Sequence, residues 1–164
     1  MKFKWFGIVL NLSLAALVFS GAVFYKSFIR SRALKGPVLE IRGTDSGKMF
    51  GKWPLKETGE FSVEFIHSVN QSPVREKFRV DGKTILPYEV RFYSFGAGMQ
   101  SDLEQGQTMS RDGDAVVISG FNSPKRELNY IVGTVSDHLL IIEDQVISLR
   151  GLCGRNAHVS IRIK

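Results

Sequence analysis

From Val38 to Ile163 the chain alternates apolar and polar residues with a period of two, and this alternation constrains its fold more than any other feature. The segments that carry it are Val38–Arg42, Lys48–Trp53, Glu60–His67, Val74–Val80, Ile85–Phe95, Ala115–Gly120, Leu128–Val132, His138–Glu143, Gln145–Leu149 and His158–Ile163. Turn signals such as Asp81-Gly82, Asp112-Gly113-Asp114, Asn122-Ser123-Pro124 and Gly133 separate them about every eight to twelve residues, the spacing of short antiparallel strands. No stretch of this region holds a helical period. The expectation is an all-β fold, an antiparallel sandwich or partly open barrel of about 8–10 short strands. Residues 100–114, rich in Gln, Ser, Asp, Glu and Gly, are expected to form a mobile loop.

Ahead of this region, Trp5 to Tyr25 is a run of 21 residues without a charge. At ~1.5 Å per residue a helix of that length reaches roughly 30 Å, the thickness of a hydrocarbon core. Trp5 and Tyr25 stand at its two ends, as interfacial aromatics do, and Lys2 and Lys4 precede it. A cleaved signal peptide would use Ser20-Gly21-Ala22, but the apolar run continues through Val23 and Phe24, which favours an uncleaved anchor. The expected organisation is therefore a membrane anchor with basic flanks over residues 1–35 and a β-domain over 36–164. A domain that follows a near-N-terminal apolar segment is expected on the extracytoplasmic side of the cell membrane, held by a single pass.

The net charge of +6 belongs to the anchor. Lys2, Lys4, Lys26, Arg30, Arg32 and Lys35 meet no Asp or Glu within residues 1–35, which leaves 16 basic residues against 16 acidic ones in the remainder. A formally neutral domain offers no patch for phosphates, so nucleic acid is excluded as an expected partner. Cys153 is the single cysteine, which rules out an intramolecular disulfide and any multi-cysteine metal site.

The alternation also suggests a register. Phe61, Val63, Phe65 and His67 share one face, as do Val74, Glu76, Phe78 and Val80. A four-residue loop over Asn70–Pro73 would pair Val69 with Val74, His67 with Glu76, Phe65 with Phe78 and Val63 with Val80. His67 and Glu76 would then face each other across a hairpin, an arrangement that fixes an imidazole's tautomer. A three-residue turn at Asp81-Gly82-Lys83 would set Phe78 beside Leu86, Glu76 beside Tyr88 and Val74 beside Val90. Ser94-Phe95-Gly96-Ala97-Gly98 would return to the same end, its glycine amides free to cradle an anion. Glu89 has the opposite parity from Tyr88 and Val90 and is expected to face solvent or a second sheet.

At these residues the chain resembles a bacterial family, domain of unknown function 1850. The resemblance lies in His67-Ser68-Val69, Pro73-Val74, Glu76, Glu89 and Ser94-Phe95-Gly96-Ala97-Gly98, with Asn70-Gln71-Ser72 in place of a more acidic turn. It implies a small anchored or exported protein often encoded beside TAXI-type TRAP transporters, and it implies no established activity, substrate or catalytic residue; no metal or cofactor is expected. The expected function is an accessory or binding module with the bilayer, through residues 5–25, and a TRAP membrane subunit or its solute-binding protein as partners. The binding residues expected are His67, Ser68, Glu76, Glu89, Ser94, Gly96 and Gly98.

Two other classes compete with that reading. One is a membrane-anchored hydrolase or transpeptidase using His67 as base, and the other is a purely structural envelope protein. Cys153 and Arg162, with His67 or His138, could be offered as sortase-like chemistry. The preceding Ser148-Leu149-Arg150-Gly151-Leu152 lacks the threonine-leucine-x-threonine run of that family. Asp112-Gly113-Asp114 reads as a hairpin turn rather than a calcium loop, and no two histidines have zinc spacing. Phe92, Tyr93 and Phe95 are expected mainly as packing residues.

Overall fold

Alternating apolar side chains can be buried only if a second layer covers them, and here the second layer is another sheet. The computed structural model describes residues 36–95 and 102–164. The expected anchor, the expected transmembrane helix over 5–25, and Gly96 and Gly98 lie outside the described residues. Among the described residues no helix is long and apolar enough to cross a membrane.

The strands are β1 (Val38–Gly43), β2 (Met49–Pro54), β3 (Phe61–Ile66), β4 (Pro73–Asp81), β5 (Thr84–Phe92), β6 (Thr108–Asp112), β7 (Ala115–Ser119), β8 (Glu127–Ile131), β9 (His138–Ile142), β10 (Gln145–Ser148) and β11 (His158–Ile163). One short helix, α1 (Leu149–Cys153), precedes β11. A four-stranded sheet has the order β2-β1-β11-β8, and a seven-stranded sheet the order β10-β9-β3-β4-β5-β7-β6. Every pairing is antiparallel, and the result is a β-sandwich with no closed barrel. Ile85 of the larger sheet and Lys125, just before β8, exchange backbone hydrogen bonds of 2.8 Å and so stitch the two sheets at one end.

Leu39, Ile41, Val159 and Ile161 of the smaller sheet pack against Phe61, Val63, Phe78 and Leu140 of the larger one. A second cluster, Val74, Phe92, Val116 and Ile118, lies under β4, β5 and β7. Burying each such side chain contributes about 1.5–3 kcal/mol, so these residues outweigh the ion pairs outside. On the outer face of the smaller sheet the register aligns Lys52, Glu40, Arg162 and Glu127, a row of alternating charge across four strands. Lys52 Nζ lies 2.7 Å from Glu40 Oε1 and Arg162 Nη2 3.2 Å from Glu127 Oε2. The Arg162–Glu127 pair is exposed and worth about 0–1 kcal/mol, whereas Glu40 is buried and is held by both Lys52 and Arg42.

Three expectations need correction. Residues 100–114 contain β6, an edge strand beside β7 whose side chains are all exposed, although Thr108 Oγ1 lies 3.0 Å from Ser119 Oγ and Asp112 Oδ2 accepts from Arg91 Nη1 at 2.8 Å. A strand with no buried face has no apolar alternation to show. The β3–β4 register is slipped by four positions from the one expected: Glu76 pairs with Val63, Phe78 with Phe61 and Val74 with Phe65. An even slip keeps every side chain on its face, so the alternation fixes the face and not the partner.

The β4–β5 hairpin closes with Gly82-Lys83 rather than three residues, Asp81 pairing with Thr84 and Gly82 holding φ at 58°. A bulge follows, because the register shifts between Lys77 and Phe78 while Pro87 pairs with Phe78 and Glu89 with Lys77. Pro87 has no N–H, and it sits where β7 does not reach, since β5 pairs with β7 only over Glu89–Phe92. The bulge puts Tyr88 under the Arg79 guanidinium, 4.4 Å from the ring centre, instead of beside Glu76.

Candidate functional site

Glu76 lies on the inner face of the larger sheet in a row otherwise made of Leu140, Val63, Val90 and Ile118. A carboxylate among aliphatic neighbours must find a donor or lose its charge. Its donor comes from the other sheet: Tyr130 Oη donates to Glu76 Oε2 at 2.6 Å. Tyr130 shares its strand parity with Leu128 and Val132, which are buried, so its ring points inward with them. Its ring lies 5.6 Å from that of His138, which in turn stacks on Phe65 at 5.0 Å.

Burial raises the Glu76 carboxyl above the usual carboxylate range, and the Tyr130 hydrogen bond, which favours the charged form, only partly offsets it. Burial and the facing carboxylate push the Tyr130 phenol well above its ordinary value, so it stays a donor. Burial also lowers His138, whose Nδ1 accepts from the Gly133 amide at 3.3 Å.

Glu76 and Tyr130 line an open cleft of about 440 Å³ between the sheets. Phe78, Pro87, Val90, Phe121 and Leu128 form its apolar walls, and Ser123, Lys125, Glu127 and Asn129 contribute polar groups. Beside the cleft, β5 bonds the chain before β8 at Ile85–Lys125 and then pairs with β7 over Glu89–Phe92.

The sequence-predicted residues separate into three places. His67 does not pair with Glu76: β3 ends at Ile66, and the His67 imidazole caps the following turn, Nδ1 accepting from the Asn70 amide at 3.4 Å. Gln71 closes that turn on the His67 carbonyl with φ at 51°. The turn does lie beside Ser94, whose carbonyl accepts from Asn70 Nδ2 at 3.1 Å, so His67, Ser68 and Ser94 fall in one neighbourhood. Glu89 is on the outer face, 2.8 Å from Lys77 Nζ, as its parity indicates. Glu76 is in the cleft. Tyr130 is not among the residues the sequence singles out, although its shared parity with Leu128 and Val132 was an available signal, and His138 is offered there only beside Cys153.

The row Phe92–Val74–Phe65–His138 marks one end of the larger sheet. The strand ends and connections here expose Ile66, Val69, Tyr93, Phe95, Ile131 and Val135, the last 88 % accessible. Phe92, in contrast, is fully buried, and Phe95 packs edge-on to it at 5.1 Å. Val38 and Ile163 lie at the opposite end, since β8 runs from the Ile85 stitch toward this one and β11 and β1 alternate in direction.

The Cys153 thiol is pushed up to about 11 by burial, so it is held protonated. Among the described residues no cluster of three His, Cys, Asp or Glu could hold a metal ion.

Fold and cleft together define a two-sheet β-sandwich with a carboxyl-bearing groove between its layers. The chain belongs to the family described as Domain of unknown function (DUF1850), whose model matches residues 61–149. That span takes in β3 through β10, including Glu76, Tyr130 and His138. Comparison with curated proteins gave no match, and comparison with solved structures gave none either.

Proposed function

We propose that the chain is a non-enzymatic binding module, anchored through residues 5–25 with its β-domain on the extracytoplasmic side, and an accessory of a TRAP-type solute transporter. The observation that carries the binding role is the Glu76–Tyr130 pair inside an open, apolar-walled cleft. Concave, mostly apolar sites with a few convergent polar groups are the usual form of binding sites. Support for the anchor is the uncharged run Trp5–Tyr25, and support for the transporter partner is the family resemblance at residues 67–98. The exposed apolar end, away from the point where residue 36 enters the domain, offers a surface for the transporter's membrane subunit or solute-binding protein.

Chemistry at His67 has weaker support. Its Nδ1 already accepts a backbone amide, and among the described residues it joins no ion pair. A Cys153 nucleophile would need a thiolate that burial disfavours.

The test is transport. Cells lacking the chain should take up the TRAP substrate poorly, the wild-type chain should restore uptake, and Glu76→Gln or Phe121→Ser should not. Protease added outside spheroplasts should remove the β-domain. Uptake that is indifferent to loss of the chain, or a domain shielded from external protease, would overturn the proposal.

A further inference from the structure

We infer that the cleft receives an extended peptide segment of another protein, which adds to the free edge of β8 and presents a lysine or arginine side chain to Glu76. This rests on the cleft being the binding site proposed above.

The backbone supplies the first reason. Hydrogen-bonding groups of successive residues in a strand point alternately to its two edges. Val132 N donates to Ala157 O at 2.9 Å, on the β11 side, so Leu128 and Tyr130 also turn their backbone groups toward β11. Lys125 has the other parity, and both its backbone groups are taken by Ile85 on the opposite edge. Glu127, Asn129 and Ile131 continue that edge, but β5 has by then passed to β7, and among the described residues no strand pairs there. The edge borders the cleft, since Glu127 and Asn129 both line it. At about 3.3–3.4 Å per residue, β8 offers a template for a peptide of about five residues.

The side chains supply the second. Residues of an added strand that stand opposite Leu128 and Tyr130 share their face and fall into the cleft. There they would meet Val90 and Phe121, which suit apolar groups, and Glu76, which suits a cation. An ammonium or guanidinium gives the desolvated carboxylate the opposite charge that its own sheet does not provide. The occupant is therefore a β-forming segment with a basic residue between apolar ones at alternate positions.

The experiment uses the full chain in detergent and a fluorescein-labelled peptide, Leu-Thr-Lys-Thr-Val, followed by anisotropy and by amide shifts of the protein. Binding should weaken about tenfold or more when the peptide lysine becomes norleucine, and Glu76→Gln should abolish that preference. Of two peptides N-methylated at alternate positions, one should lose binding and the other keep it. Asn129→Pro, at an exposed edge position, should keep the fold and lose the peptide.

Equal binding of all these peptides would overturn the inference, as would a dimer of this chain that forms through the same edge. If the peptide fails while benzylamine shifts the Glu76 and Tyr130 amides, the inference falls and the binding cleft stands. If neither probe moves a cleft residue, both fall.

Discussion

Tyr130 donates its hydroxyl to Glu76 across the gap between the two sheets, at 2.6 Å, and this bond sets a polar centre between the apolar walls of the cleft. Removing the donor leaves a buried carboxyl oxygen without its partner, whereas removing an exposed polar group leaves water in its place. Tyr130→Phe is therefore expected to destabilise the domain by about 1.5–3 kcal/mol, the range for a hydrogen bond to a charged group. His67→Ala, which removes one long turn contact at a half-buried site, is expected to cost no more than about 1 kcal/mol. Urea denaturation of both variants checks the ordering.

The pH dependence has a definite sign. Burial raises the Glu76 carboxyl in the folded state above its ordinary value of 4.5. The folded protein then holds that proton more tightly than the unfolded chain, and the associated stability is complete at pH below the unfolded value. It is lost as pH rises through the folded value. Glu76→Gln removes this loss, so its stability relative to wild type should increase with pH across the weakly acidic range. Denaturation midpoints measured at several pH values would show the two curves diverging; parallel curves would contradict the assignment.

How much of this was legible in the sequence differs between the faces and the partners. Period two placed Val63, Phe65, Glu76 and Phe78 on one inner face correctly, because burial enforces parity. It could not choose between registers an even number of residues apart, and so it offered His67 where the structure has Val63. The choice is made by the turn: with its imidazole capping the Asn70 amide and Gln71 in the left-handed region, the chain leaves the ladder at Ile66. Tyr130 lies 54 residues from Glu76 and on the other sheet, and no local pattern reports a contact between layers. The β6 strand escaped notice because it buries nothing.

The join between β9 and α1 depends on Asp137. Its Oδ1 accepts from the Arg150 amide at 2.9 Å, its other oxygen takes the Ser148 hydroxyl, and Ser148 Oγ accepts from Gly151 at 2.8 Å as the helix cap. Asp137→Ala should cost about 1–3 kcal/mol by leaving the Arg150 amide and the cap hydroxyl without that acceptor. Because His138 follows directly, the loss should also shift the ring signals of Tyr130 and His138. Thermal denaturation and aromatic NMR check both effects.

Gly120 holds the exit of β7 against the approach to β6. Its φ is 81°, and a Cβ there would stand 2.2 Å from the Gly106 carbonyl oxygen. Gly120→Ala is expected to cost more than about 1 kcal/mol, since neither the backbone angle nor the space suits a side chain. The damage should be local: hydrogen exchange should quicken over 108–112 while the amides of β1 and β11 remain protected.

The central claim is that Glu76 is a desolvated carboxyl in the cleft whose partner is Tyr130. A carboxyl-carbon NMR titration of the full chain, labelled at glutamate, tests it most directly. The Glu76 midpoint should lie above the ordinary carboxylate range and move higher still in Tyr130→Phe, because the lost hydrogen bond favoured the charged form. An ordinary midpoint that Tyr130→Phe leaves unchanged would contradict the account.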